Sequence, residues 1–103
     1  MSFKLRFVQK ISQKDKENFL DLELKFIEFE KKNPHMPQGK RYVPLTGREP
    51  SNTLIWECEF ETLEALIQQF QALNADANHE ELLQKQIVYM EDSYAEIYKE
   101  FSL

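Results

Sequence analysis

The chain has 103 residues and a mass of 12.3 kDa, so we predict one domain over residues 1–103. Its net charge of −5 argues against a nucleic-acid binder, since such proteins contact phosphates through clustered Lys and Arg. The single cysteine, Cys58, excludes an internal disulfide and a multi-cysteine zinc site, and we expect no metal or cofactor.

The compartment is predicted from what the sequence lacks. The first residues contain no apolar run of the ~7–15 residues that a signal peptide needs. No stretch approaches the ~20 apolar residues of a membrane span. One unpaired cysteine is typical of a reducing compartment. We therefore expect a cytoplasmic protein that does not contact a membrane.

The first half of the chain predicts a strand, a long helix and a second strand. Residues 3–11 alternate between apolar and polar side chains, which is typical of a half-buried strand. Apolar residues at a spacing of three and four predict an amphipathic helix over 13–32. Ser12 and Asp15 resemble a capping box at its start, and two prolines stop it. Residues 39–45 predict a short strand that a further proline places at a sheet edge.

The middle of the chain predicts a hairpin loop, a strand and a helix. The loop covers residues 46–51 and contains Gly47. The strand covers 52–60, with Trp56 on its apolar face. A helix begins at residue 61 or 62, and its apolar positions are Leu63, Leu66, Ile67, Phe70 and Leu73.

The last part of the chain predicts a further helix and an ambiguous ending. Asn78 with Glu81 indicates a capping box, and the helix that it begins extends to Met90. Residues 93–101 alternate, which favours a final strand. Continuation of the helix is the alternative.

The element order βαββααβ predicts an α+β, ferredoxin-like fold with a four-stranded antiparallel sheet in the order 4-1-3-2. Charge supports this order, since residues 1–50 carry a balance of +4 and residues 51–103 one of −9. With the first strand between the third and the fourth, basic side chains face acidic ones on both sides. We interpret this charge cluster as a salt-bridged sheet surface, and a charged pocket is the alternative. Its members are Lys4, Arg6, Lys10, Glu57, Glu59, Glu96 and Glu100.

Four segments resemble the dimeric α/β-barrel superfamily and, within it, the NIPSNAP-like proteins. They are the strand Phe3–Ile11, the helix to Lys32, the stretch PQGKRYVPLTGREPSNTLIWECEF and the ending YAEIYKEF. The resemblance implies a homodimer in which the open faces of two four-stranded sheets pair into a barrel. A mixed apolar and polar face is typical of such an interface, and here it would carry Val8, Ile55, Tyr94 and Tyr98.

The resemblance leaves the activity open. Its superfamily contains proteins without known activity, cofactor-independent monooxygenases, small-molecule lyases and haem-degrading enzymes. Haem-degrading members use an Asn on the first strand, a Trp on the helix after the third strand and a His on the next helix. His79 matches the last position, but Gln9 and Phe70 stand at the other two. We therefore predict His79 to be a surface residue in the first turn of its helix.

The candidate ligand site is a pocket between the sheet and the helices. Gln9 interrupts an apolar strand face, Trp56 could form a wall and Tyr42 could lend a hydroxyl. Arg48, in the hairpin loop, could hold an anionic ligand. The simpler alternatives are a core role for Trp56, with its N–H satisfied locally, and a solvated Arg48.

The sequence specifies no reaction. Its leading interpretation is a homodimeric α/β-barrel protein that binds a small apolar or aromatic molecule. A cofactor-independent monooxygenase-like enzyme and a non-catalytic protein-interaction module are the alternatives. A filled space beneath the helices would favour the interaction module, whereas a cavity with Gln9 and Trp56 at its wall would favour the other two.

Overall fold

Four antiparallel strands and three α-helices form the fold in the computed structural model, which describes residues 2–103. The strands are β1 (Phe3–Ile11), β2 (Lys40–Tyr42), β3 (Thr53–Phe60) and β4 (Met90–Lys99), and the helices are α1 (Lys16–Lys32), α2 (Leu63–Ala75) and α3 (Ala77–Ile87). The sheet order is β2-β3-β1-β4. The predicted α+β, ferredoxin-like topology and the predicted strand order are therefore confirmed.

The first helix begins later than predicted. Residues Gln13–Asp15 form a 3-10 turn, and α1 follows from Lys16. The Ser12 side chain makes no capping hydrogen bond, so the capping box predicted there is wrong. The backbone N–H of Asp15 instead donates to the carbonyl of Ser12 at 2.9 Å, which closes the tighter turn.

The third helix begins earlier than predicted, because a different side chain caps it. Asp76 lies directly after α2, and its carboxylate accepts a hydrogen bond from the N–H of His79 at 2.9 Å. The capping box predicted at Asn78 and Glu81 is therefore wrong. Thr62 caps α2 as one of the two predicted starts, since its hydroxyl accepts from the N–H of Ala65 at 3.0 Å.

The final strand predicted for residues 93–101 is β4, which covers Met90–Lys99, so the helical alternative is wrong. β4 pairs with β1 along almost its whole length. Met90 begins this strand and does not lie on α3, which ends at Ile87. The turn between them is held by Tyr89, whose N–H donates to the carbonyl of Gln86 and whose carbonyl accepts from the N–H of Ser12.

The second strand is shorter than the predicted 39–45. It covers Lys40–Tyr42, after which the chain leaves the sheet. Pro44 has no N–H to donate to a neighbouring strand, which accounts for the early end. Gly47 turns the following loop with a φ of 145°, a conformation that favours glycine.

Two core clusters lie on the helix-facing side of the sheet, one beneath α2 and the other beneath α1. Their buried members are Leu5, Trp56 and Leu66 in the first and Ile11, Phe19 and Leu54 in the second. The fully buried aliphatic and aromatic side chains each contribute roughly 1.5–3 kcal/mol to folding. Along β1, Phe7 and Gln9 occupy the helix-facing positions between the clusters, and both line a cavity there.

The opposite, open face of the sheet carries ion pairs between strands. Arg6 lies opposite Glu57 of β3 and Glu96 of β4. Its Nε is 2.9 Å from a carboxylate oxygen of Glu57, and its Nη1 is 3.5 Å from one of Glu96. Lys4 Nζ lies 3.3 Å from Glu57 and 3.9 Å from Glu59. These exposed or half-buried pairs each contribute less than about 1 kcal/mol, and the face is a salt-bridged surface.

Part of the open face is covered by the loop between β2 and β3. Glu49 of that loop accepts a hydrogen bond from the Tyr94 hydroxyl at 2.5 Å and lies 3.5 Å from Lys10 Nζ. The hydrogen bond raises the pKa of Tyr94 to about 12. Lys10 therefore pairs with the loop and not with the strand acids that we predicted. Val8 is buried within one chain, so this face is less bare than expected, although Tyr98 remains 44% exposed.

None of the helices in residues 2–103 is both long and apolar enough to cross a membrane. The cytoplasmic location expected from the sequence stays a prediction.

Candidate functional site

A cavity of about 230 Å³ lies between the sheet and the helices, in the gap between the two core clusters. Its apolar walls come from the sheet, α1 and α3, and they include Phe7, Trp56, Phe26, Phe29 and Leu83. Four of the lining residues are exposed and mark the mouth of the cavity beside β4: Asn74, Ile87, Ser93 and Ala95. A half-open, aromatic-walled space of this kind is suited to a small organic molecule.

A buried charge network lies at the wall of this cavity. Arg41 of β2 donates from Nε to a carboxylate oxygen of Glu23 at 2.5 Å and from Nη2 to Glu30. Both glutamates belong to α1, and they are only 7% and 9% exposed. Burial alone would lower the pKa of Arg41, but the hydrogen bonds that it donates to Glu30 and Glu23 raise it above its ordinary value. The guanidinium is therefore a permanent cation held between two carboxylates.

Glu30 also holds the tryptophan wall in place. One of its carboxylate oxygens accepts from Trp56 Nε1 at 3.3 Å, and the other accepts from the backbone N–H of Gly39 at 2.8 Å. The Trp56 N–H is thus satisfied locally, as the simpler alternative requires, while its ring lines the cavity.

Two glutamines extend the network across the cavity to β1. Gln86 of α3 is fully buried, and its Nε2 donates to Glu23 at 2.8 Å and to the carbonyl of Phe19 at 3.3 Å. Gln9 Nε2 lies 3.4 Å from Gln86 Oε1 and 3.6 Å from the sulfur of Met90. These contacts are at the long end of the hydrogen-bond range, so they hold the Gln9 amide less firmly than the network holds Gln86.

Two of the four ligand-site residues predicted from the sequence line the cavity. Gln9 and Trp56 both line it. Tyr42 pairs with Ile55 on β3 and is 47% exposed on the open face, so the prediction that it lends its hydroxyl to this pocket is wrong. Arg48 is exposed in the loop between β2 and β3 and does not line the cavity, so it cannot hold an anion there.

The arginine, glutamates and second glutamine of the network were missed from the sequence. Glu23 and Glu30 lie four and eleven residues after Phe19, which places them on the apolar stripe of α1 and not on its solvated face. Acidic residues on such a stripe are the signal that could have found them. Arg41 lies opposite Trp56 on the neighbouring strand, but the register that shows this comes only from the sheet.

His79 is not the surface residue that we predicted. Its ring is 5.2 Å from that of Phe26 and 5.8 Å from that of Phe29, so it packs on α1 at the cavity wall. Its Nδ1 is buried and has no hydrogen-bond partner among the described residues. Burial lowers the pKa of His79 below its ordinary value of 6.5, against the opposing effect of nearby carboxylates, chiefly Asp76 and Glu80. The imidazole is therefore neutral at pH 7.

This buried histidine predicts a pH-dependent stability. The unfolded chain takes up a proton near pH 6.5, whereas folded His79 does so only at lower pH. The contribution of neutral His79 to stability is therefore complete above pH 6.5, and it is lost as the pH falls from there through the lower pKa of the folded state. We expect the free energy of unfolding, measured by urea denaturation, to fall more steeply below this pH in the native chain than in His79→Leu. The matched control is His35→Leu in the exposed loop, and an equal effect of the two variants would contradict the assignment.

A reactive cysteine and a metal site find little support in residues 2–103. Burial raises the pKa of the Cys58 thiol, so it is protonated at neutral pH and is a poor nucleophile. Among residues 2–103, no three His, Cys, Asp or Glu side chains are grouped closely enough to hold a metal ion.

Comparison with known proteins identifies the fold. No family model and no curated protein match the chain. The chain superposes on a NIPSNAP family protein from Agrobacterium tumefaciens with a TM-score of 0.76 at 15% identity, covering 96% of this chain and 92% of that one. A NIPSNAP domain protein from Burkholderia xenovorans gives a TM-score of 0.76 at 14% identity, with coverage of 99% and 96%.

A third solved structure is that of an antibiotic biosynthesis monooxygenase. It gives a TM-score of 0.73 at 13% identity and covers 97% of this chain and 99% of that one. Together these likenesses confirm, at the level of the fold, the resemblance to NIPSNAP-like proteins found in the sequence. At such identities a shared fold does not carry a shared activity.

Proposed function

We propose that this chain is a NIPSNAP-like protein that binds a small apolar or aromatic molecule in the cavity between its sheet and helices. The observation that carries the proposal is the cavity itself, with Trp56 at its wall and a mouth beside β4. A protein whose only task was interaction through its surface would gain stability by filling this space with apolar side chains.

The buried charge network supports the same proposal. Replacing a buried ion pair by apolar side chains of similar volume is often neutral or stabilising. The needs of folding therefore do not explain why Arg41, Glu23 and Glu30 are buried beneath the helices. Charged groups in a cleft are typical of binding sites, where they orient a ligand.

A substitution that blocks the mouth of the cavity tests the binding proposal. Indole, a small neutral aromatic probe, is expected to raise the melting temperature of the native chain. At ten times its Kd it should add about 1.4 kcal/mol, or several degrees for a domain of this size. Ala95→Phe should abolish the effect because it places a ring in the mouth.

The matched control is Ala72→Phe, on the exposed side of α2 and away from the cavity. This variant should respond to indole as the native chain does. Equal melting shifts in Ala95→Phe and the native chain would place indole elsewhere and contradict the proposal.

The second candidate is a cofactor-independent monooxygenase-like enzyme. It is favoured by the structural likeness to an antibiotic biosynthesis monooxygenase, together with an aromatic-walled cavity. An oxygen electrode and a panel of phenolic substrates test it. Uptake above the buffer blank that is lost in a folded Trp56→Ala variant would support the enzyme, and no uptake by the native chain would contradict it.

We further propose that two chains pair through the open sheet face. Helices cover only the other face, and Tyr42 and Tyr98 are 47% and 44% exposed on this one. Light scattering behind a sizing column should give about twice the 12.3 kDa of one chain. Tyr98→Glu should shift the mass towards that of one chain, because it replaces an exposed aromatic ring by a charge that would have to lose its hydration when the two faces pair. A native chain that stays monomeric at high micromolar concentration would contradict this pairing.

A further inference from the structure

We propose that the cavity selects its ligand by charge, taking neutral or cationic aromatic molecules and rejecting anionic ones. This inference rests on the proposed function and adds the ligand's chemical class. Its basis is the set of charged side chains that line the cavity, which are Arg41, Glu23 and Glu30. One guanidinium stands against two carboxylates, so the formal charge of the wall is −1.

Arg41 already binds two carboxylates. Its Nε donates to Glu23 and its Nη2 to Glu30. An incoming carboxylate would have to compete with these two buried glutamates for the same guanidinium. It would also have to lose its hydration and enter a cavity whose wall carries a net negative charge, which repels it. The one arginine in the cavity therefore does not make it an anion-binding pocket.

His79 adds no positive charge to the wall. It packs against Phe26 and Phe29, apart from the ion pairs, and its Nδ1 lacks a hydrogen-bond partner among the described residues. Because this nitrogen is buried and the ring is neutral, His79 gives an anion in the cavity no cation to pair with.

The aromatic walls suit a cation as well as a neutral ring. Trp56, Phe7, Phe26 and Phe29 present π-faces or edges to the cavity. An ammonium group is attracted by the face of an aromatic ring, and the two carboxylates add a second attraction. A neutral ring keeps the apolar contacts and avoids the repulsion that an anion meets.

Three indole derivatives of similar size test the charge preference directly. They are tryptamine, which is cationic, tryptophol, which is neutral, and indole-3-acetate, which is anionic. Isothermal titration calorimetry at about pH 7.5 keeps the amine and the carboxylate charged. We expect tryptamine and tryptophol to bind at least about tenfold more tightly than indole-3-acetate.

Glu23→Gln identifies the source of the preference. It removes one negative charge from the wall, its amide oxygen can still accept from Gln86 Nε2, and Arg41 keeps Glu30 as its partner. The ratio of the affinity for tryptamine to the affinity for indole-3-acetate should fall several-fold towards one. Glu28→Gln, on the exposed side of the same helix, is the matched control and should keep the native ratio.

The outcomes separate the two proposals. Indole-3-acetate binding as tightly as tryptamine, with both excluded by Ala95→Phe, would overturn the charge preference and leave the ligand cavity standing. An equal change of the ratio in Glu23→Gln and Glu28→Gln would also overturn it, since the exposed residue does not line the cavity. Absence of binding by all three probes would overturn the proposed function and the preference together.

Discussion

Arg41→Met is expected to lower the free energy of unfolding by about 3–5 kcal/mol, one of the largest effects of any single substitution in this chain. The reason is that Glu23 and Glu30 would stay buried without their cation. Methionine keeps much of the arginine side chain's length, so little of the loss would come from missing apolar contacts. Urea denaturation followed by circular dichroism measures the change.

Neutralising the two acids should reverse most of this loss. A chain carrying Arg41→Met together with Glu23→Gln and Glu30→Gln leaves no buried charge unpaired, and we expect it to recover much of the lost stability. Arg48→Met, in the exposed loop, is the matched control and should change stability by no more than about 0.5 kcal/mol. Equal effects of the two single arginine substitutions would contradict the expected cost of leaving Glu23 and Glu30 buried without a cation.

Gly39→Ala is expected to destabilise the chain by about 1–3 kcal/mol or more and to move Trp56. A Cβ added at Gly39 would lie 1.8 Å from Trp56 Nε1 and 1.9 Å from its Cε2. Both distances are far below van der Waals contact, so the atoms would overlap. The ring is buried and large, so it has to swing out of the cavity wall or push β2 away. The first movement breaks the hydrogen bond from Trp56 to Glu30, and the second breaks the one from the Gly39 N–H to Glu30 and exposes the ring.

The single tryptophan makes this displacement visible. Trp56 emission should shift to longer wavelength in Gly39→Ala and become easier to quench with acrylamide. Gly47→Ala is the matched control. Its backbone has a φ of 145°, but nothing lies within 4 Å of an added Cβ. It should lose stability through backbone strain alone, without a change in the emission. Unchanged emission in Gly39→Ala would contradict the packing described for this glycine.

The arrangement of strands and helices could be predicted because its signals are local. Alternation over residues 3–11 and 52–60 marks the two central strands, and opposite charges on them indicate which strands are neighbours. The helix starts were predicted less well. At α3, Asp76, Asn78 and Glu81 all offer capping side chains, and the choice among them depends on where α2 ends.

The site was only half predictable because its polar residues come from five separate elements, β1, α1, β2, β3 and α3. Gln9 and Trp56 stand out as a polar residue and a large aromatic on strand faces. Arg41 could not be separated from Arg48 without the sheet, since β2 is three residues long and shows too little alternation. Gln86 lies on α3 and becomes part of the site only when that helix packs on α1.

The most direct test of the ligand cavity is the side-chain N–H signal of Trp56 in a two-dimensional nitrogen–proton NMR spectrum. One tryptophan gives one such signal, and its N–H donates to Glu30 beside the cavity wall. Titration with unlabelled indole should shift this signal in a saturable way in the native chain and in Ala72→Phe, but not in Ala95→Phe. A Trp56 signal that stays in place in the native chain, up to the solubility limit of indole, would contradict the account.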